Sequence, residues 1–95
     1  MKSYIIVLGI LVNRKRVQQF LTALPEVSYW YACLPSCIFT TSSLTAQDLA
    51  KRLGAHFGNR FNFLIMEASK NRQGRLPKKA WHLLQNPDTP ILDAE

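Results

Sequence analysis

The chain has 95 residues, which is enough for one small domain built around a single hydrophobic core. Hydrophobic residues make up 47% of the sequence and charged residues 19%, a balance that excludes an intrinsically disordered chain. Twelve Lys and Arg residues against six Asp and Glu residues give a formal net charge of +6. This surplus favours a polyanion or an acidic protein surface as the partner, although net charge carries no information about the fold.

Residues 4–12 (YIIVLGILV) predict the first strand, because they are rich in β-branched residues and apolar on both alternating faces. Nine apolar residues are too few to cross a bilayer. Asn13 and three basic residues follow where a signal peptide would have small residues and its cleavage site. We therefore expect a cytoplasmic protein without a membrane partner, in which this segment is a central strand.

Three basic residues, Arg14, Lys15 and Arg16, follow this strand where a helix is expected to begin. The N-terminus of a helix carries a partial positive charge, so cations there are mildly destabilising. An anion at this position would meet both the side-chain charges and the free backbone N–H groups. The sequence therefore predicts an anion-binding site at the start of the first helix.

The first helix is predicted from Asn13, a good N-cap, to the residues before Pro25. Its apolar residues keep helical spacing, at Val17, Phe20, Leu21 and Leu24. Residues 27–33 and 37–41 then predict a β-hairpin around a turn at residues 34–36. Alternation along the hairpin's first strand sends Tyr29 and Tyr31 to one face of the sheet and Trp30 to the other.

A second helix is predicted to start near Ala46, with Thr45 as its cap and Gly58 in a left-handed conformation at its end. Residues 61–68 (FNFLIMEA) predict a fourth strand. Pro77 is expected at the first position of a short helix that runs through Leu84. A tail is expected over residues 87–95.

The predicted order β-α-β-β-α-β defines a ferredoxin-like α+β domain over residues 1–86. We expect a four-stranded antiparallel sheet with two helices on one face, plus a short C-terminal helix. Strands one and three would be central and strands two and four would be edges. The fourth strand is hydrophobic and has no Pro or Lys within it, so we expect a homodimer formed by strand addition at this edge or by packing of the sheets.

The pattern of residues 4–84 resembles the ferredoxin-like group that contains the nuclease-like subunit of the CRISPR adaptation complex, the VapD toxins and the SinR-like proteins. The shared features are the apolar first strand, the aromatic hairpin before CIFTTS, the segment SSLTAQDLAKRL, a fourth strand ending in Glu67, and a late helix with Trp81. The resemblance implies a role in phage defence or in a toxin-antitoxin system. In the nuclease members, an acidic residue at the end of the first strand is associated with metal-dependent phosphodiester cleavage.

This chain has Gly9, Val12 and Asn13 at that position, and hard divalent cations need oxygen ligands that these residues do not offer. We therefore expect no catalytic residue, metal or cofactor, with a divergent metal-dependent ribonuclease as a remaining alternative. His56 and His82 have no neighbouring carboxylate in sequence to orient them, so surface or packing roles are favoured. Glu67 is expected to face solvent or to pair with Arg60 or Lys70.

Cys33 and Cys37 lack the second ligand pair that a structural zinc site requires, so we expect two reduced thiols.

A second basic segment follows the fourth strand and, with the first, is predicted to bind nucleic acid or another anionic partner; it contains Lys70, Arg72, Arg75, Lys78 and Lys79. Tyr29, Trp30 and Tyr31 would stack on bases, or else pack in the core and along the edge.

Two functions follow: a small non-catalytic module that binds RNA or DNA, or a protein-binding module such as an inhibitor, immunity or assembly factor. The second would recognise an acidic surface or add a β-strand to its partner.

Overall fold

The computed structural model describes residues 1–70 and 72–88. It contains four strands and three helices: β1 (Lys2–Leu8), α1 (Arg14–Ala23), β2 (Val27–Leu34), β3 (Cys37–Ser42), α2 (Ala46–Phe57), β4 (Phe63–Glu67) and α3 (Lys78–Gln85). The predicted elements are therefore confirmed in type and order. Of the predicted tail, residues 89–95 lie outside the described part of the chain.

The four strands form one antiparallel sheet with the order β2-β3-β1-β4. β1 is central and pairs on one side with β3, placing Ile6 opposite Ile38, and on the other side with β4, placing Ile6 opposite Ile65. β2 and β4 are the edges, as predicted. The protein is thus a small α+β domain in which strands distant in sequence are neighbours.

Alternating residues of β1 enter two different cores. Tyr4, Ile6 and Leu8 are buried in the core beneath α1 and α2, which also contains Leu21 and Leu53. Both helices therefore lie on one face of the sheet, as the sequence predicts. Each helix has a predicted cap: Lys15 donates its backbone N–H to the Asn13 side chain at 3.0 Å, and Asp48 donates to Thr45 Oγ1 at 3.1 Å.

The opposite face of the sheet carries α3, which the sequence indicates only as a short terminal helix. Ala80, Leu83 and Leu84 pack with Phe39 in a second core, joined by the half-buried Ile5. This docking includes a buried hydrogen bond in which Ser3 Oγ donates to the Leu83 carbonyl at 2.8 Å. The second face is consequently not an open platform over β2, β3 and β1, because a layer of apolar packing covers it.

The predicted strand boundaries are wrong at the end where β1 stops. The apolar run continues through Val12, but β1 ends at Leu8 because its partner β4 begins at Phe63, directly opposite. Residues 9–12 form a turn instead, closed by the Val12 N–H donating to the Gly9 carbonyl at 3.0 Å. An apolar pattern in the sequence does not show where a partner strand begins, so the strand predicted from it is too long.

Two helix ends also differ from the prediction. Gly58 has φ 88° and ψ −175°, so its φ is positive as expected but its conformation is not left-handed helical. Glycine is still the residue suited to that φ. Pro77 lies one position before α3, which begins at Lys78, and accepts the helix's first hydrogen bond from the Ala80 N–H.

The connection between α1 and β2 is held by Glu26. Its carboxylate accepts two hydrogen bonds from Arg52 of α2, at 3.2 and 2.9 Å, and its backbone carbonyl accepts from Ser42 Oγ at 2.9 Å. The Arg52 hydrogen bonds lower the pKa of Glu26 below its usual range. The pair joins the start of the hairpin to the second helix.

We predict that Leu83→Ala lowers the free energy of unfolding by about 2–5 kcal/mol, because it opens a cavity between α3 and the sheet. Urea denaturation measures the change. Leu11→Ala is the matched control: that side chain is 96% exposed, so its removal is expected to change stability by less than about 0.5 kcal/mol. Equal effects of the two variants would show that α3 does not pack on the sheet.

We predict that Glu26→Gln lowers the melting temperature at neutral pH and that this difference disappears in acid. A carboxyl group whose pKa is lowered by folding stabilises the folded state above its unfolded pKa, and that contribution is lost as pH falls through the folded pKa. Thermal unfolding of both proteins between pH 7 and about pH 3 tests this. A difference that stays constant over the range would contradict the lowered pKa.

Candidate anion-binding surfaces

The first candidate surface surrounds the turn between β1 and α1, and we call it the β1–α1 surface; it comprises Ile10, Leu11, Arg14, Lys15, Arg16 and Arg60. The three basic residues that the sequence predicts lie in the first turn of α1, which starts at Arg14. Arg60 joins them from the connection between α2 and β4, because β4 begins beside the end of β1. Sequence reasoning missed Arg60 as a site residue, although antiparallel pairing of the first and fourth strands would have placed it there.

Arg14 has a structural role within this surface. Its Nη1 donates a hydrogen bond to the Leu34 carbonyl at 2.6 Å, which ties the start of α1 to the hairpin between β2 and β3. The side chain is half-buried, whereas Lys15 and Arg16 are exposed. The three predicted cations are therefore not equivalent, because Arg14 contributes a hydrogen bond that joins distant parts of the chain.

Arg16 and Arg60 converge on a surface cleft of about 220 Å³. Phe57 and Phe61 line the same cleft and give it a partly apolar wall. These rings stack with their centroids 4.7 Å apart, and Phe57 packs against the first core. The cleft thus combines stacked aromatic rings with two arginines, and guanidinium groups are suited to binding phosphate or carboxylate.

The second candidate surface lies beside α3, and we call it the α3 surface; it comprises Lys70, Arg72, Gln73, Trp81 and Gln85, which line a cleft of about 380 Å³. The Arg72 guanidinium carbon lies 6.0 Å from the centroid of the Trp81 ring. Arg72 Nη1 also donates to the Ser69 carbonyl, while its buried Nε has no hydrogen-bond partner. Cation–π contact and hydrogen bonding therefore position Arg72 within the cleft. Trp81 and the two glutamines were not predicted as site residues.

The two surfaces lie at opposite ends of the β1–β4 pair. Leu8 pairs with Phe63 at the end next to Arg60, and Tyr4 pairs with Glu67 at the end next to Lys70. The predicted basic segments thus form two separate surfaces. Arg75, Lys78 and Lys79 precede or begin α3 and do not line either cleft.

Within residues 1–70 and 72–88, the ion pairs leave the cations of both surfaces without carboxylate partners. Lys2 pairs with Glu67 at 3.6 Å, Arg52 with Glu26 at 2.9 Å, and the terminal amine with Asp88 at 3.3 Å. Glu67 faces solvent, which is one of the two predicted alternatives, and it pairs with Lys2 instead of Arg60 or Lys70 because β1 places Lys2 beside it. The described cations with no ion pair include Lys15, Arg16, Arg60, Lys70, Arg72, Arg75 and Lys78.

The aromatic cluster of β2 is divided between the two faces of the sheet, as its alternation predicts. Tyr29 and Tyr31 pack against the core beneath α3. Trp30 packs against the core beneath α1 and donates its Nε1–H to Thr22 Oγ1 at 2.8 Å. Packing accounts for all three half-buried rings, and their stacking on bases stays a prediction.

The thiols of Cys33 and Cys37 and the imidazole of His56 have identifiable surroundings in the described part of the chain. Cys33 and Cys37 are free, and burial, with a smaller contribution from Cys33, raises the pKa of the Cys37 thiol, which disfavours the reactive thiolate. The His56 ring stacks on Phe20 with centroids 4.3 Å apart, which confirms its packing role. Among the described residues there is no cluster of three or more His, Cys, Asp or Glu side chains able to hold a metal ion. No helix in this part of the chain is both long and apolar enough to span a membrane.

Comparison with protein families, curated proteins and solved structures finds no match for this chain.

Proposed function

We propose that this protein is a non-catalytic nucleic-acid-binding module that contacts phosphates through the β1–α1 surface and the α3 surface. The observation that carries the proposal is the segregation of charge: cations line both clefts, while the described carboxylates pair elsewhere or, for Asp48, lie in the first turn of α2. Unpaired cations on one chain repel each other and add nothing to folding. A bound polyanion would neutralise them and release counterions, which favours binding.

The separation of the two surfaces favours a polymer over a small anion. The pairing of β1 with β4 runs from Tyr4 to Leu8, which are four positions apart. At ~3.3 Å per residue, this is a distance of about 13 Å. A single phosphate group cannot reach both clefts. A nucleic acid carries regularly spaced phosphates along its length and can contact both while remaining one ligand.

The ferredoxin-like arrangement is part of this proposal. The order β-α-β-β-α-β, with β1 and β3 at the centre and α1 and α2 on one face, supports it. Membership in the group that contains the CRISPR adaptation subunit and the VapD toxins rests on the sequence pattern alone. In this protein the sheet face used by many such RNA binders is covered over its β2, β3 and β1 portion by α3. We therefore assign nucleic-acid recognition to the two ends of the sheet.

We predict that Lys15→Ala/Arg16→Ala weakens binding to nucleic acid and lowers the slope of log affinity against log salt by about 1.5–2, because two phosphate contacts are lost. Fluorescence anisotropy with single-stranded RNA, single-stranded DNA and duplex DNA at several salt concentrations, with and without magnesium, measures both quantities. Arg14 is left intact because it holds the hairpin.

The control for this experiment is Lys2→Ala/Lys51→Ala, which removes the same charge from exposed positions outside both surfaces. Its salt slope is expected to match that of the wild type. Identical slopes and affinities for the two double variants would contradict the β1–α1 surface. No binding of any of the three nucleic acids at low salt would contradict the function itself.

A second candidate function, protein binding through the edge of β4, is favoured by one observation. β4 is an edge strand, and two of its five residues, Leu64 and Met66, are 55% and 43% exposed. They lie opposite Val7 and Ile5 of β1 in the pairing register, on the sheet face that carries α3. An unpaired apolar edge is a template for another strand, and a second copy of this chain would offer the same edge.

We predict that Leu64→Lys/Met66→Lys converts a dimer to a monomer, because charged residues on an edge strand oppose strand addition. Analytical ultracentrifugation at concentrations up to about 100 µM measures the mass, within the range of moderate affinity. Gln19→Lys/Gln47→Lys adds the same charge to exposed helix positions and is expected to remain dimeric. A monomeric wild type, or a dimeric Leu64→Lys/Met66→Lys variant, would contradict this function.

A further inference from the structure

Two adjacent aliphatic side chains, Ile10 and Leu11, project almost completely into solvent at the end of β1. They are 95% and 96% exposed, whereas the other exposed large hydrophobic residues range from 39% to 55%. Single exposed hydrophobic residues are common on protein surfaces, but an adjacent pair displayed in full marks an interaction site. Folding alone gains nothing from these two side chains.

Backbone hydrogen bonds anchor the turn that contains Ile10 and Leu11. The Gly9 N–H donates to the Asn62 carbonyl at 2.8 Å, and the Val12 N–H donates back to the Gly9 carbonyl at 3.0 Å. A Cβ atom on Gly9 would lie 3.1 Å from the Asn62 carbonyl oxygen, so glycine permits this close approach. Val12 packs against the first core and closes the turn from inside. Ile10 and Leu11 are therefore the two central residues of an anchored β-turn.

The residue types at these two positions do not suit a turn. Central turn positions favour Pro, Asn, Asp, Ser or Gly, each for a local conformational or hydrogen-bonding reason. Ile10 and Leu11 offer neither benefit, and the structure provides them with no packing partner in the core. A residue type that does not suit its local structure, and that adds nothing to folding stability, is typical of a functional position.

Cations surround this apolar turn. Leu11 forms part of the cleft in which Arg16 and Arg60 converge, and Lys15 is exposed in the adjoining first turn of α1. Proteins that kink duplex DNA combine these same features: aliphatic side chains enter between base pairs while neighbouring cations hold the phosphates.

We propose that the Ile10–Leu11 turn is a wedge that enters between adjacent base pairs of duplex DNA and kinks it. This inference rests on the proposed nucleic-acid-binding function and deepens it, since it names the duplex as the ligand and unstacking as the mode of binding. Arg16 and Arg60 hold the phosphates beside the opened step. Flexible pyrimidine–purine steps, which unstack most easily, are the preferred sites.

The placement of charge favours a duplex over a lipid bilayer as the occupant. Arg16 and Arg60 lie beside Leu11 in one cleft, which suits a backbone that runs past the wedge. The α3 surface adds a second set of cations at the far end of the β1–β4 pair, where a flat membrane touching the wedge would not reach. A wedge opens the duplex on the side that it enters and bends the flanking DNA away from itself, so Arg16 and Arg60 in the same cleft, and not the α3 surface, hold the phosphates beside the opened step.

The test compares wild type with Ile10→Ser/Leu11→Ser on a duplex of about 20 base pairs that carries a donor and an acceptor dye at its ends. Anisotropy reports binding and energy transfer reports bending. Leu34→Ser is the control, because it removes an exposed hydrophobic side chain elsewhere and keeps the backbone carbonyl that Arg14 contacts. Cosedimentation of all three proteins with phosphatidylcholine vesicles containing phosphatidylserine is run in parallel.

We expect wild type and the control to increase energy transfer on binding. The Ile10→Ser/Leu11→Ser variant is expected to bind at least about tenfold more weakly, the factor that burial of one aliphatic side chain supplies, and to leave energy transfer unchanged. Its salt slope should equal that of the wild type, because the phosphate contacts remain.

Four outcomes would overturn the wedge. Wild-type binding without bending, or bending by the Ile10→Ser/Leu11→Ser variant equal to wild type, would refute the wedge while leaving the proposed function standing. Failure of wild type to bind any nucleic acid at low salt would refute both. Vesicle binding that is lost in the same variant, without duplex binding by wild type, would assign the turn to a bilayer.

Discussion

The structure depends on a central strand that serves two cores at once. Alternating residues of β1 place Tyr4 and Ile6 beneath α1 and α2, while Ser3 and Ile5 face the layer formed by α3. A strand in this position must be apolar on both faces, which is why its sequence lacks the hydrophobic and polar alternation of a half-exposed strand. The Ser3 hydroxyl is accommodated because it donates to the Leu83 carbonyl within the second core.

The same strand positions the two candidate surfaces. Its C-terminal end, paired with the start of β4, brings Arg60 beside the first turn of α1, and its N-terminal end leads to Lys70 and Arg72 after β4. Because α3 fills the second face, the candidate surfaces lie at the ends of the sheet and along the uncovered edge of β4. The basic clefts and the apolar edge therefore occupy different parts of the molecule, and one protein can use both without competition.

Much of the local structure was predictable because its causes are local. Asn13 and Thr45 cap helices through side-chain oxygens that accept from residues two and three positions ahead, and such signals are present in sequence. The cations at Arg14, Lys15 and Arg16 were likewise visible as a surplus of charge at a helix start. The different roles of these three cations were not visible in the sequence, because the hydrogen bond from Arg14 to the Leu34 carbonyl joins residues twenty positions apart.

The sequence by itself determined the class of fold, the order of its elements and the basic character of its surface, since periodicity, capping and charge act over a few residues. Only the tertiary structure decided that β1 stops at Leu8, because a strand ends where its partner ends. It also decided that α3 covers the second face, and that Ile10 and Leu11 face solvent instead of continuing the core. Burial depends on which distant segments pack together. An apolar run in the sequence therefore does not show whether a partner strand lies beside it.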